Sequence, residues 1–366
     1  MVSDSGPFSE CLLSTANPKT AAHIPTELED IEAAINQLER SLLSSKSREE
    51  HQLAFQAVHY DRLADLYYAK YEATGNQNDY DAAKSSSKNA VNLGREATQN
   101  PPPGLSKAAQ WYALQGSRLA LRHERFGEMR DLDEAVDVYE AALKTVDQAS
   151  GLRSVVLMNQ ANCLCTKYED TGLAAYIEDA IGKSKEAFAM AGSNTATIQN
   201  DMSTMYLSRY EKDRKLEDLD EALQLSRAAV TTTSEEDSRL PTRLLNLANV
   251  LNTRYKVDEK MTYIEEMIRI LERAERVGKA SSATCLPQIL SRHAHALYIR
   301  YTRTTVSADV LAALKKGKEG LDLVKGDEHH EVRRKLNRLV HTCSEEAREL
   351  EEGDEEVQEK NLSVEV

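Results

Sequence analysis

Leu245-Asn246-Leu247-Ala248-Asn249-Val250-Leu251-Asn252-Thr253-Arg254-Tyr255 is the stretch that decides the fold. With Leu244 added in front, Leu244, Leu247, Ala248 and Leu251 precede Tyr255 by 11, 8, 7 and 4 positions, which is one face of an α-helix. The basic–aromatic pair closing the stretch recurs as Lys70-Tyr71, Arg125-Phe126, Lys167-Tyr168, Arg209-Tyr210, Arg254-Tyr255 and Arg300-Tyr301, with aromatics 55, 42, 42, 45 and 46 residues apart. Seven positions before the aromatic, five of the six copies hold a small residue: Ala64, Ala161, Ser203, Ala248 and Ala294, with Leu119 the exception. A neighbouring backbone is expected to pass close there. Each copy therefore predicts a helix A.

A second helix follows each pair. Its acidic start is Asp79-Tyr80-Asp81-Ala82-Ala83 in the first copy and Leu216-Glu217-Asp218-Leu219-Asp220-Glu221-Ala222-Leu223 in the fourth. Acids in a first turn suit the positive end of the helix macrodipole. From the aromatic to the last small or unbranched residue of the start the offset is 12 in five copies and 9 in the second, from Phe126 to Ala135. Leu219, Ala222, Leu223, Ala229 and Val230 then return at helical spacing. Neither helix A nor helix B can hide its apolar stripe alone, so pair must stack on pair.

The ends of this array differ from its middle. Asp30-Ile31-Glu32-Ala33-Ala34 repeats a helix B start with no helix A before it, which predicts a capping helix over 26–45 after an N-terminal segment, 1–25, expected to be disordered. Six hairpins are expected over 46–325, broken at Asn100-Pro101-Pro102-Pro103-Gly104, and Val332, Leu336, Leu339, Val340 and Cys343 predict a C-terminal cap over 326–350. Residues 345–366 carry −8 of the formal net charge of −14, and an acidic disordered tail is expected over 351–366.

Composition narrows the class. Only 15 glycines and 8 prolines in 366 residues leave few helix breakers. A mean hydropathy of −0.55 fits thin amphipathic layers rather than one bulky interior. No run approaches the ~18 apolar residues of a membrane span, and no apolar signal core occupies the first 25 residues. The five cysteines are odd in number and sparse, which fits reduced thiols in a cytoplasmic protein. The acidic balance argues against nucleic acid as a partner.

The run 245–255 and the start 216–223 resemble the long form of the tetratricopeptide (TPR) repeat, with spacings of 42 to 46 residues here against the 34 of the short form. Such arrays occur in fungal multi-repeat proteins and, more loosely, in kinesin light chains. The resemblance covers about residues 26–325 and implies an all-α fold, a right-handed α-solenoid of stacked helix-turn-helix repeats whose A helices line a concave groove used for protein recognition. Similar fungal arrays precede a CHAT protease or a nucleotide-binding domain, neither of which is visible in this sequence.

Polar residues of helix A on the side away from helix B would face such a groove. Asn159 and Asn162 precede Tyr168 by nine and six residues, and Asn246 and Asn249 precede Tyr255 by the same intervals. An amide pairs with an extended backbone without dictating its sequence; alternatively these amides hold the stack together. Arg209, Arg243 and Arg254 would favour acidic peptides. The basic–aromatic ladder reads either as a cation–π stripe or as interhelical core with basic heads over the helix A end.

Catalytic constellations are absent from the sequence. Cys163 and Cys165, like His293 and His295, stand i,i+2 on a helix and diverge by roughly 200°. His329-His330-Glu331 lacks the second histidine of a zincin helix. Asn200-Asp201 with Thr204 starts a terpene-synthase-like metal motif, but the required acid falls on Ser208. No catalytic residue, metal site or cofactor is expected. The expected function is a non-catalytic scaffold or adaptor, monomer or homodimer, that takes a partner peptide or helix; the alternative is a self-associating module detached from an effector, and a helical-bundle enzyme is the remote third.

Overall fold

Long runs free of glycine and proline propagate as helix once their apolar stripe finds cover. The computed structural model describes residues 28–44, 50–99, 105–148, 150–190, 192, 195–324 and 330–364. Among them are fourteen α-helices and no strand: α1 Leu28–Ser44, α2 Glu50–Thr74, α3 Gln77–Gln99, α4 Leu105–Phe126, α5 Met129–Thr145, α6 Gly151–Thr171, α7 Ala174–Ala189, α8 Thr195–Asp213, α9 Leu216–Thr231, α10 Leu240–Asp258, α11 Met261–Ala280, α12 Leu286–Thr304, α13 Ser307–Leu323 and α14 His330–Val364. The chain divides into two compact units at Arg214/Lys215. The first holds α1–α8 and the second α9–α14.

Six A helices (α2, α4, α6, α8, α10, α12) end in one geometry. The N–H four residues past an anchor bonds back to the anchor's carbonyl at 2.7–2.8 Å: Gly75 to Tyr71, Gly127 to His123, Gly172 to Tyr168, Arg214 to Tyr210, Glu259 to Tyr255 and Thr305 to Tyr301. Each donor has a positive φ of 54–75°, the left-handed stop that turns the chain into helix B. This geometry corrects the reading of the second copy. Its anchor is His123, not Phe126, and the distance from His123 to Ala135 is the same 12 as elsewhere.

The corrected register also removes the Leu119 exception. Seven residues before His123 stands Gly116, and a Cβ there would lie 2.7–2.9 Å from ring atoms of Tyr139, which is fully buried. The position is thus small in all six copies, and here it must be glycine because helix B brings a tyrosine against it.

In the first unit each B helix packs against the A helix that follows, and α4 and α8 both touch α6. Val91, Leu119, Leu132, Tyr139 and Val156 form the core of its middle layers. The cap α1 sets Ile31 and Ile35 on Leu63 and Leu66, and Tyr67 Oη donates to Glu39 at 2.6 Å. In the second unit Leu244, Leu247, Leu251, Ile264, Met267, Leu271, Ile289 and Leu290 are all buried, each contributing about 1.5–3 kcal/mol by leaving water.

Two end expectations fare differently. The N-terminal segment 1–25 lies outside the described residues. In the acidic tail, the described residues 351–364 continue α14, which runs 35 residues to Val364. Its Glu, Lys, Arg, Gln and Leu are strong helix formers and no proline interrupts them.

Candidate functional site

In four of the six copies the basic residue just before the anchor reaches eight residues past it, into the first turn of helix B. Lys70 pairs with Asp79 at 3.6 Å; Arg122 grips Asp131 through two bonds, one of 2.5 Å; Lys167 lies 4.4 Å from the Tyr176 ring centroid; Arg300 holds Asp309 at 2.8 and 2.6 Å. The ladder is a clamp inside the hairpin. Arg209, expected at the partner surface, stacks 5.3 Å from the Tyr206 centroid and is engaged in further contacts. Arg125, the mistaken second rung, instead pairs with Asp65 at 2.7 Å and covers Tyr68 at 5.0 Å.

Neighbouring A helices are tied at their C-terminal ends. Lys212 donates to the carbonyls of Tyr168 and Glu169, neutralising the negative end of α6, and Ser208 donates to Glu169 at 2.7 Å. In the second unit Arg303 donates to Tyr255 Oη at 3.1 Å. One step deeper, Gln115 and Gln160 hold equivalent positions and donate to the Val91 and Val136 carbonyls at 3.0 and 3.1 Å. These repeated glutamines are stacking ties that a search for aromatic anchors passes over.

The four asparagines separate into two environments. On α6, Asn159 is fully buried and neither end of its amide has a hydrogen-bond partner. Asn162 is 3% exposed with Nδ2 unpartnered. Every residue from Ser154 to Cys165 is buried, so this helix presents no open face there. On α10, by contrast, the residues between Leu240 and Thr253 are all buried except Thr242, Asn246, Asn249 and Thr253, which are half-buried. Those four form one stripe, spaced by four, three and four residues.

The same stripe continues on α12 as Gln288, Arg292, His295 and Ile299, again half-buried, and α10 touches α12. Arg292 and His295 occupy the positions nine and six residues before Tyr301. They escaped the sequence reading because they are not asparagines, although the interval alone marks them. Burial first, then the charges of Arg292, Lys256 and Lys335, push the His295 ring down to about 4, leaving it neutral at pH 7. Its Nδ1 has no partner, and nor has Asn249 Oδ1.

Arg243 belongs to neither stripe. It is 3% exposed and donates to Thr233 Oγ1 at 2.5 Å and Asp237 Oδ2 at 3.2 Å, fixing the loop that leads into α10. Arg239 holds the same carboxylate group at 3.0 Å.

Reactive chemistry is muted. Burial pushes the Cys163 and Cys165 thiols far up and Cys343 up to about 11, so all three stay protonated and unreactive near neutral pH. His293 and His295 diverge as their spacing requires: His293 Nδ1 lies 3.1 Å from buried Glu275, which also accepts from Lys279 at 2.8 Å and Lys316 at 2.5 Å. Burial opposes the Glu275 charge, but these three partners outweigh it and hold the carboxyl well below its usual range. Asn200 donates to Asp201 at 3.2 Å, and no group of three or more metal-ligating side chains occurs among the described residues. No helix among them is long and apolar enough to cross a membrane.

Known proteins bear on this arrangement. Residues 195–230 and 242–275, which are α8–α9 and α10–α11, match the tetratricopeptide repeat family model. No curated protein matches the chain. Similar solved structures include the S. pombe nuclear import adaptor Nro1, at 13% identity over 77% of this chain and 99% of that one with a TM-score of 0.43. BtubC (BKLC) from P. vanneervenii is 20% identical over 69% of this chain and 92% of that one, TM-score 0.42. The TPR2AB domain of yeast Sti1 in complex with pHSP90 is 14% identical over 74% and 98%, TM-score 0.29. The chain carries tetratricopeptide repeats in α8–α11 and builds its other helical pairs on the same plan.

Proposed function

We propose that the protein is a non-catalytic interaction scaffold or adaptor that holds an extended segment of a partner protein along the second unit, across the stripe Thr242, Asn246, Asn249 and Thr253 of α10 and Gln288, Arg292 and His295 of α12. The observation that carries this reading is the selective exposure of α10: one polar stripe stays half-open while every other residue from Leu240 to Asn252 is sealed. Amides and hydroxyls at such spacing exchange hydrogen bonds with a partner backbone, and Arg292 adds charge. The buried Asn159, Asn162 and Arg243 serve the stack instead. The buried thiols of Cys163, Cys165, Cys285 and Cys343 support a reducing compartment such as the cytoplasm.

The test is quantitative affinity purification of the full chain with and without Asn246→Ala plus Asn249→Ala. Hot residues are worth about 1–2 kcal/mol each, so recovery of bound protein should fall about tenfold or more while circular dichroism stays unchanged. Full recovery by a folded double variant would remove the stripe from the binding surface.

A further inference from the structure

The helix after the sixth hairpin is built as a seventh A helix. Gly278, near the end of α11, lies against Leu286 at the start of α12: a Cβ on it would stand 3.5 Å from that side chain. At the positions 46 residues later, Val324 and Val332 share one buried cluster, so the end of α13 meets the start of α14 in the same way. The buried residues that follow also correspond, Leu290 with Leu336 and Leu297 with Cys343. Tyr301 of α12 donates to Glu346 of α14 at 3.0 Å. The interval of 46 is the one that separates Tyr255 from Tyr301.

That register carries the stripe of α10 and α12 onto one more helix. Thr242 and Gln288 lead to Arg334, Asn246 and Arg292 to Arg338, and Asn249 and His295 to His341. All three positions on α14 are exposed. Within this unit α10 touches α12 and α12 touches α14, so the rows are continuous. Their chemistry changes along the way: amides and hydroxyls on α10, one arginine among neutral groups on α12, two arginines on α14. Neither Arg334 nor Arg338 makes an ion pair among the described residues, and Glu331, one turn earlier, is held by Lys335 at 2.9 Å.

The surroundings of His295 report the same excess of positive charge. Burial is the main cause of its lowered proton affinity, and the charges that add to it come from all three helices: Arg292 on α12, Lys256 on α10 and Lys335 on α14. Each of these is a cation, so this end of the groove attracts an anion. The chain as a whole carries −14 and repels acidic polypeptides at long range. Binding of one has to come from this local strip.

We infer that the groove of the second unit selects an acidic segment: a partner stretch rich in Asp and Glu crosses from α10 onto α14 and sets its carboxylates against Arg292, Arg334 and Arg338. This rests on the reading of the α10–α12 stripe as a binding surface and adds its charge preference. The amides of α10 accept any backbone, and the cap helix supplies the selectivity. An arginine fork holds a carboxylate through two parallel N–H···O bonds; a neutral segment gains nothing from it, and a basic one is repelled.

Fluorescence anisotropy of the full chain tests it, with labelled peptides of about 12 residues made of alternating Glu-Ser, Gln-Ser or Lys-Ser. At about 50 mM salt the Glu-Ser peptide should bind about tenfold more tightly than Gln-Ser, the Lys-Ser peptide should not bind, and the preference should shrink at about 500 mM salt. Arg334→Gln with Arg338→Gln should bring Glu-Ser down to the level of Gln-Ser. Arg269→Gln with Arg276→Gln, at exposed positions of α11 outside the stripe, should leave the preference intact. Circular dichroism checks that helix content is kept. Equal affinity for Glu-Ser and Gln-Ser, no binding of Glu-Ser up to about 1 mM, or a preference that survives loss of both arginines would overturn the proposal. The two readings fail separately. Asn246→Ala with Asn249→Ala should weaken Glu-Ser and Gln-Ser alike; a preference that disappears with the arginines while the asparagines have no effect removes the α10 stripe and keeps the charge selection.

Discussion

Asn159 and Asn162 on α6 and Asn246 and Asn249 on α10 stand at the same two positions of the repeat, yet the two units treat them oppositely. On α6 the amides are sealed in, with Asn159 fully buried and unpartnered. On α10 they lie on a half-open stripe that continues onto α12 through Arg292 and His295. The residue type is the same, so the difference comes from the packing around each helix. Position in a repeat sets which way a side chain points; the neighbours decide whether water or a partner can reach it.

The largest expected effect sharpens that contrast through His295, which holds in α12 the place Asn162 holds in α6. Its folded value of about 4 lies below the ordinary 6.5. Between those values the unfolded chain binds a proton that the folded chain refuses, so the stability due to neutral His295 is complete above pH 6.5 and lost as pH falls toward 4. At about 1.4 kcal/mol per unit, discounted because the ring is part exposed, the loss is about 2–3 kcal/mol. Urea unfolding at pH 7, 5.5 and 4.5 should show it, and His295→Gln should flatten that part of the slope. An unchanged slope would mean that the ring is better solvated than its surroundings indicate.

Replacing the sealed amide tests the other half of the comparison. An unpartnered buried donor or acceptor costs about 1–3 kcal/mol, and Asn159 buries both without partners. Asn159→Leu keeps nearly the same volume and removes the penalty, so resistance to denaturant should rise by about 2 kcal/mol. Asn246→Leu, on the half-open stripe, should change stability by less than about 0.5 kcal/mol. A destabilised Asn159→Leu would show that the amide is satisfied, and the two rows would then be alike in polarity if not in exposure.

Much of the hairpin order was legible because each copy restates one constraint: a left-handed stop, a small residue at the closest approach, and an acid or a tyrosine eight residues past the anchor. The second copy misled because Arg125-Phe126 imitates the pair Arg122-His123 three residues earlier. Gly127 was the better guide, since it aligns with Gly75 and Gly172, where the backbone requires positive φ. Exposure was not legible. The burial of Arg243 by Thr233 and Asp237 comes from the loop before α10 and not from its place on the helix, and the helical course of 351–364 follows local propensity rather than net charge.

The smallest expected effect lies in the turns themselves. The first three A helices stop on Gly75, Gly127 and Gly172, whereas α10 and α12 in the second unit stop on Glu259 and Thr305 at φ 54° and 56°. A side chain in that region costs about 1 kcal/mol or more, and a β-branched one is the least tolerated. Thr305 Oγ1 does donate to the Thr304 carbonyl at 2.7 Å, but the hydroxyl is exposed and water would serve as well. Thr305→Gly should therefore stabilise the chain by about 1 kcal/mol, and Gly172→Ala should destabilise it by a similar amount. Space is not the issue at Gly172, because the nearest atom to an added Cβ is Lys212 Nζ at 3.8 Å. Equal and opposite shifts in melting temperature would assign the cost to the backbone alone. A neutral Thr305→Gly would mean instead that the gain in turn geometry is offset by the extra freedom glycine gives the unfolded chain.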